Sequence, residues 1–220
     1  YYAVRPDRTA PFGPPTALTE LNTDDHDHRY ETSFDGLVGV ISRQSAGNPD
    51  FYVAQRASTS GAFTDWTPIA ALNTSGNDFD PHLSADGLQL WYSTSGRVDT
   101  VGELDLYLSE RPDRSSPFGP PPNIAELNST SHDSNPALTS DGLTIVFTSC
   151  RTDTCDLFYV TRASTSESFS TPAMIPNVNS DSIADVEPYV SRDGCELFFG
   201  RIGDPAATGG WDIFYSTVLR

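Results

Sequence analysis

Four aspartates in equivalent positions are the first candidates for a chemical role in this sequence. They are Asp27, Asp78, Asp133 and Asp185, and a histidine precedes two of them, at His26 and His132. Converging carboxylates suit Ca²⁺, whereas imidazoles combined with aspartate suit a transition metal such as Zn²⁺. The alternative is that each aspartate caps the backbone amides of its own loop. The sequence leaves both interpretations open.

A second polar set lies two residues further along in each case. It consists of Arg29, Asp80, Asn135 and Glu187. Carboxylates that converge repel one another unless a cation or an arginine neutralises them. Because the two sets keep a common spacing, we expect them to come together at one place in the fold and to form a binding site there.

The elements that must position these residues belong to a fourfold repeat of about 50 residues. Asp-Gly pairs mark the repeat, beginning at Asp35, Asp86, Asp141 and Asp193. Three further anchors keep the same register: Phe12, Phe63, Phe118 and Phe169; Asn22, Asn73, Asn128 and Asn179; Arg5, Arg56, Arg111 and Arg162. The chain is therefore predicted to be a single domain over 1–220, with units at about 23–73, 74–128, 129–179 and 180–220, the last completed by 1–22.

Each unit reads as four short strands. Aromatic and β-branched residues alternate between segments of Gly, Asp, Asn and Pro, and Asp-Gly suits a tight hairpin turn. No segment keeps a helical period, so the fold class is all-β. Four strands per unit indicate a β-propeller of four four-stranded blades, with part of a larger six-bladed propeller as the alternative. The first strand of a propeller blade lines the central channel, which would place both polar sets at the channel mouth.

Three stretches carry a resemblance to a known family: "DPHLSADGLQLWYS", "NPALTSDGLTIVFTS" and "EPYVSRDGCELFFG". Each is followed by an Asp-led strand, as in "DLYL", "DLFY" and "DIFY". This pattern resembles the TolB-type, WD40-like propeller repeat of bacterial envelope and secreted proteins, over essentially the whole chain. The first unit departs from it at Tyr30 and Phe34. The resemblance implies a fold, but such propellers serve many unrelated functions.

The two ends of the sequence are offset from the units. Residues 1–7 and 214–220 match the same strand position. Pairing of 12–22 with 212–220 would complete the last blade and close the ring, which removes exposed sheet edges. The first residues show neither an initiating Met nor a secretion signal, so we expect a mature or trimmed product.

The charge of the chain excludes some classes of binding partner. The net charge is −17, and the 13 basic residues are all Arg, which disfavours binding to nucleic acid and to anionic membranes. No run of 18 apolar residues occurs, so no membrane span is predicted.

Cys150 and Cys155 bracket a four-residue loop and are expected to form a disulfide, leaving Cys195 free. A disulfide indicates an extracytoplasmic location: periplasmic, envelope-associated or secreted.

No enzyme motif of the H-E-x-x-H, G-x-S-x-G or P-loop type occurs. The three tryptophans, Trp66, Trp91 and Trp211, do not repeat between units, which argues against a lectin with one sugar site per blade. We therefore expect a monomeric, non-catalytic binding module that engages a protein or peptide near the channel, with a cation there as a further hypothesis. A carbohydrate-binding propeller and a polysaccharide lyase or hydrolase are the alternatives.

Overall fold

The computed structural model describes residues 2–44, 47–203 and 210–217. The first two antiparallel sheets follow the chain in order. The first contains β1 (His26–Thr32), β2 (Val38–Gln44), β3 (Asp50–Gln55) and β4 (Thr67–Pro68). The second contains β5 (Asp78–Leu83), β6 (Gln89–Thr94) and β7 (Asp105–Glu110).

The last two sheets repeat this arrangement. The third contains β8 (Asp133–Leu138), β9 (Thr144–Ser149), β10 (Asp156–Thr161) and β11 (Ala173–Met174). The fourth contains β12 (Asp185–Val190), β13 (Glu196–Ile202) and β14 (Trp211–Thr217). The all-β class and the four blades are confirmed. The fourth strands are shorter than expected, with two residues in β4 and in β11 and a single bridge between Tyr107 and Asn123 in the second sheet.

The Asp-Gly turns join the first two strands of each sheet. In the third sheet, Asp141 Oδ1 accepts hydrogen bonds from Thr139 Oγ1 at 2.6 Å and from the Leu143 N–H at 3.0 Å. Gly142 has a φ of 67°, a left-handed conformation that costs glycine little. The Asp-Gly pair is thus a turn signal rather than a chemical one.

Three of the four recurrent asparagines hold the outer part of their unit to its third strand. Asn128 Oδ1 accepts from the Leu106 N–H at 2.7 Å, and Asn128 Nδ2 donates to the Leu106 carbonyl at 3.0 Å. Asn73 binds Phe51 in the same way, and Asn179 binds Leu157. We call this two-bond contact the asparagine clamp. It satisfies the backbone N–H and C=O groups at the edge of the third strand, where the fourth strand is too short to do so.

The recurrent arginines tie the end of the third strand back to the Asp-Gly turn of the same unit. The Nε atoms of three of them donate to glycine carbonyls of these turns at 2.6–2.9 Å: Arg56 to Gly36, Arg111 to Gly87 and Arg162 to Gly142. Each guanidinium also stacks on the repeated phenylalanine of its unit, which adds a cation–π contact.

Three apolar clusters fill the spaces between successive sheets. Phe51 and Tyr92 belong to the first, Trp91 and Phe147 to the second, and Leu157 and Phe199 to the third. Residues 2–22 bridge the fourth sheet and the first. Within the described residues, Thr16 pairs with Tyr2, and no ladder joins 12–22 to β14. The expected strand pairing at the closure is therefore not found there, and residues 218–220 lie outside the described part.

The expected disulfide between Cys150 and Cys155 is present, and Cys195 is free and half-buried. No helix within the described residues is long and apolar enough to cross a membrane.

Candidate functional site

Each first strand contains a bulge at the same position, which is where the second polar set lies. The strand register shifts between residues 27 and 30, 79 and 82, 134 and 137, and 186 and 189. Asp80, Asn135 and Glu187 sit in these bulges with φ values of 58°, 53° and 54°. Non-glycine residues rarely adopt this left-handed conformation, and a β-bulge commonly re-aims a side chain beside a functional site.

The bulges direct the second polar set toward one cavity of about 570 Å³. All four of its members line this cavity: Arg29, Asp80, Asn135 and Glu187. The structure thus brings together one residue from each sheet. We call this space the mouth cavity. His28, Glu31 and Tyr189 also line it. They lie within two residues of Arg29 on β1 and of Glu187 on β12, and this proximity is the feature of the sequence that could have identified them.

Only part of the charge in the mouth cavity is neutralised. Arg29 Nη2 lies 3.5 Å from Glu31 Oε1, and His82 Nδ1 lies 3.7 Å from the same oxygen. Burial acts to raise the pKa of Glu31, but the His82 and Arg29 contacts hold it below its usual value. Arg29 therefore forms its salt bridge with Glu31.

Asp80 and Glu187 make no salt bridge within the described part of the chain. Asp80 Oδ2 accepts from Ser93 Oγ at 2.7 Å and from the Asn135 N–H at 3.3 Å. Burial raises the pKa of Glu187, and the nearby charge of Asp80 raises it further against the effect of Arg29. Among the described residues, the cavity wall consequently presents two carboxylates that form no salt bridge, with Arg29 close enough to act on Glu187.

The first polar set does not share this cavity, because each aspartate caps its own loop. Backbone N–H groups four or five residues earlier donate to the carboxylates at 2.6–2.7 Å: Thr23 to Asp27, Thr74 to Asp78, Ser129 to Asp133 and Ser180 to Asp185. Three of the carboxylates also bind an arginine: Arg43 to Asp27, Arg151 to Asp133 and Arg201 to Asp185. In the second unit Thr94 replaces this arginine, and burial raises the pKa of Asp78.

These contacts leave the six proposed metal ligands poorly suited to a shared ion. His26 stacks on His28, and His132 Nε2 contacts Ser134 Oγ at 2.9 Å. The described residues contain no group of three or more His, Cys, Asp or Glu side chains placed to hold a metal. Binding of Ca²⁺ or Zn²⁺ stays a prediction. The loop-cap contacts alone explain why the four aspartates recur at regular spacing in the chain.

A second cavity of about 530 Å³ lies toward the Asp-Gly turns and shares Glu31 and Tyr189 with the mouth cavity. His82 lines it and accepts a hydrogen bond at Nε2 from the Leu138 N–H at 3.3 Å. The three tryptophans do not meet at either cavity: Trp91 is buried in the core, Trp66 packs on Phe63, and Trp211 is exposed on β14.

No family model matches the chain, and no curated protein matches it in sequence. Solved structures do match in fold. TolB from Acinetobacter baumannii aligns with a TM-score of 0.58 at 13% identity, over 90% of this chain and 42% of TolB. A putative TolB from Agrobacterium tumefaciens gives 0.54 at 19% identity, over 86% and 63% of the two chains.

A thermostable family-43 glycoside hydrolase aligns with a TM-score of 0.57 at 14% identity, over 88% of this chain and 72% of the hydrolase. The chain spans less than two thirds of the length of either TolB structure. Identities this low carry the fold and leave the function open. The chain is therefore a β-propeller with a TolB-like fold.

Proposed function

We propose that this propeller is a non-catalytic binding module that takes a cationic side chain of a protein or peptide partner into its mouth cavity. The observation that carries the proposal is the convergence of one bulge residue from each sheet on that cavity. Three of these residues hold a left-handed backbone conformation, which costs free energy that a function can justify.

The charge of the cavity supports a cationic ligand. Asp80 and Glu187 line it and form no salt bridge among the described residues, whereas the salt bridge of Arg29 goes to Glu31. A guanidinium or ammonium group between the two carboxylates would gain charge-assisted hydrogen bonds, the stronger kind in proteins. The net charge of −17 would also draw a basic partner toward the surface.

The test is a titration with the peptide acetyl-Gly-Arg-Gly-Arg-Gly-amide, followed by calorimetry at physiological salt. The matched peptide has Gln in place of each Arg. We expect binding of the Arg peptide, and a loss of at least about tenfold in affinity when Asp80→Asn and Glu187→Gln are combined, since a hydrogen bond to a charged group contributes about 1.5–3 kcal/mol.

A charge-matched control separates the cavity from the general acidity of the protein. Glu126→Gln combined with Glu167→Gln removes two exposed carboxylates that line neither cavity. This variant should bind the Arg peptide as the wild type does. Equal loss in both double variants would mean that the peptide senses only net charge, which contradicts the proposal.

A polysaccharide-active enzyme is the second candidate. Three carboxylates line the mouth cavity, those of Glu31, Asp80 and Glu187, and the raised pKa of Glu187 is a property of a general acid in glycoside hydrolysis. Release of nitrophenol from a panel of nitrophenyl glycosides, abolished by Glu187→Gln, would favour this reading over the binding module.

An extracytoplasmic location forms part of the proposal. The disulfide between Cys150 and Cys155 supports it, because such bonds persist in oxidising compartments.

A further inference from the structure

We propose that the partner peptide carries an aromatic side chain two residues from its arginine, and that this ring binds in a third cavity next to the mouth cavity. The inference deepens the proposed function and rests on it, because it assumes that the arginine occupies the mouth cavity. It names a second contact of the same ligand and so restricts the sequence that the partner carries at this site.

The third cavity has a volume of about 240 Å³ and is lined by residues of the third and fourth sheets. Cys150 and Cys155, which form the disulfide, line it from the loop between β9 and β10. Val186 of β12 and Trp211 of β14 line it from the fourth sheet. We call this space the side pocket.

The side pocket adjoins the mouth cavity. Asn135 and Glu187 line both spaces. Each of these two residues sits in the bulge of its first strand, with φ values of 53° and 54°. A ligand that fills the mouth cavity therefore has the side pocket within reach, and the two cavities can bind neighbouring parts of one peptide.

The two cavities differ in the chemistry of their walls. Glu31, Asp80 and Glu187 line the mouth cavity, whereas Glu187 alone supplies a carboxylate among the described residues of the side pocket. His132 also lines the side pocket, with Nε2 at 2.9 Å from Ser134 Oγ. The remaining wall includes the disulfide, a valine and an indole ring. An uncharged, apolar part of the ligand therefore suits the side pocket.

Trp211 departs from the repeat in a way that leaves its indole ring available to a ligand. The equivalent positions hold Pro49, Leu104 and Cys155. The Trp211 side chain is 57% exposed. A Cβ at Gly200 would lie 3.5 Å from Trp211 Cε3, so the six-membered ring lies against the backbone of β13. The indole is thus supported by the sheet and still open to contact.

Gly200 is a second departure from the repeat at the same place. The other three sheets have a hydroxyl residue at this position: Ser42, Ser93 and Thr148. The hydroxyl groups bond to the backbone of a first strand, as Ser42 Oγ does to the Asp78 carbonyl at 2.8 Å. The fourth sheet has no hydroxyl there and has the Trp211 indole beside the glycine instead. Two departures from the repeat therefore meet at one wall of the side pocket.

An aromatic ring is the apolar group that matches this wall best. Indole rings pair with other aromatic rings in offset-stacked or edge-to-face arrangements, and sulfur atoms also make favourable contacts with aromatic rings. Trp211 and the disulfide of Cys150 and Cys155 offer both kinds of contact within one pocket. The occupant of the side pocket is therefore a phenylalanine-type side chain.

The spacing along the peptide follows from the geometry of an extended chain. Side chains two residues apart point to the same side and lie about 6.5 Å apart along the chain, whereas adjacent side chains point to opposite sides. Because the two cavities adjoin, one residue should separate the arginine from the aromatic residue. The order of the two can be either, so the probe carries phenylalanine on both sides of the arginine.

The probe is the peptide acetyl-Phe-Gly-Arg-Gly-Phe-amide. Two reference peptides accompany it: acetyl-Gly-Gly-Arg-Gly-Gly-amide lacks the aromatic rings, and acetyl-Gly-Phe-Arg-Phe-Gly-amide has the same composition as the probe with the rings adjacent to the arginine. We expect the probe to bind at least about tenfold more tightly than either reference in calorimetry, because burial of a phenylalanine side chain corresponds to a factor of this size.

A change in the protein tests the aromatic contact. Trp211→Ala should weaken binding of the probe at least about threefold, since an aromatic pair is lost, and should leave the affinity for the Gly reference unchanged. Ile213→Ala is the matched control, because Ile213 is also exposed on β14 and lines neither the mouth cavity nor the side pocket. The peptide comparison uses the unaltered protein and stays informative if Trp211→Ala misfolds.

The outcomes separate this inference from the proposed function. Failure of the Gly reference to bind would contradict the proposed function itself. Binding of the Gly reference with the same affinity as the probe would leave the proposed function intact and overturn the side pocket. Equal affinities of the probe and its isomer would overturn the spacing and the inference with it. A probe with Gln in place of Arg that binds as tightly as the Arg probe would also overturn the inference, since the two cavities would then not bind one ligand together.

Discussion

Replacement of Asn128 by alanine should destabilise the propeller strongly, although this side chain is polar and belongs to a loop. It would remove both bonds of one asparagine clamp, at 2.7 Å and 3.0 Å to the backbone of Leu106. Leu106 is fully buried, so its N–H and C=O would lose their partners without access to water. Each unsatisfied group costs about 1–3 kcal/mol, which gives about 2–6 kcal/mol for the pair.

For a chain of this size, that loss corresponds to a drop of about 4–24 °C in melting temperature, measured by differential scanning calorimetry. Asn22→Ala is the matched control, because Asn22 occupies the same position in the repeat but is exposed, and its side chain bonds to none of the described residues. Asn22→Ala should change the melting temperature little. Equal melting of the two variants would refute the role of the clamp.

Three further outcomes follow from the described contacts. Thiol titration of the unfolded, unreduced protein should find only Cys195, and a count of three would reject the disulfide. The hydrogen bond from Arg114, with that from Ser33, lowers the pKa of Asp35 to about 2, so the stability that this pair contributes is present above the ordinary pKa of 3.8 and is lost as the pH falls toward 2. Carboxyl NMR should show this pKa rising toward its usual value in Arg114→Ala; no change would reject the pairing. Comparison of the melting temperatures of calcium-loaded and chelator-treated protein tests the cation hypothesis: a rise of about 5 °C with Ca²⁺ would support it, whereas equal melting would leave the aspartates as loop caps only.

The four-blade architecture could be predicted from the sequence because the same residues recur at the same positions in every unit. The Asp-Gly turns, the asparagines and the arginines each make one backbone contact that recurs from unit to unit, and equal spacing reveals such contacts without a structure. The spacing also placed Arg29, Asp80, Asn135 and Glu187 on one cavity, since propeller first strands face a common axis.

Spacing could not separate the two polar sets. Residues two apart in a regular strand lie on the same face, so Asp78 and Asp80 were expected to act together. The bulge between Phe79 and His82 changes the direction of the strand between them, and Asp78 turns into its own loop while Asp80 faces the cavity. A bulge requires no distinctive residue type, and it therefore could not be predicted from the sequence.

The way in which the ring closes could not be predicted from the repeat pattern either. Residues 2–22 match the outer half of any unit, and the pattern does not say which sheet they join. The choice depends on side-chain contacts such as Arg8 with Asp193 and Phe12 with Phe198, which only three-dimensional coordinates reveal.

The most direct test of the central claim is to map the bound Arg peptide onto the protein by NMR. Titration of the isotope-labelled chain with acetyl-Gly-Arg-Gly-Arg-Gly-amide should shift the backbone amides of Asp80, Asn135 and Glu187, which lie in the bulges that line the mouth cavity. The Gln peptide should leave these amides in place. Shifts that occur only at outer carboxylates such as Glu126 and Glu167, with the bulge amides unchanged, would contradict the account.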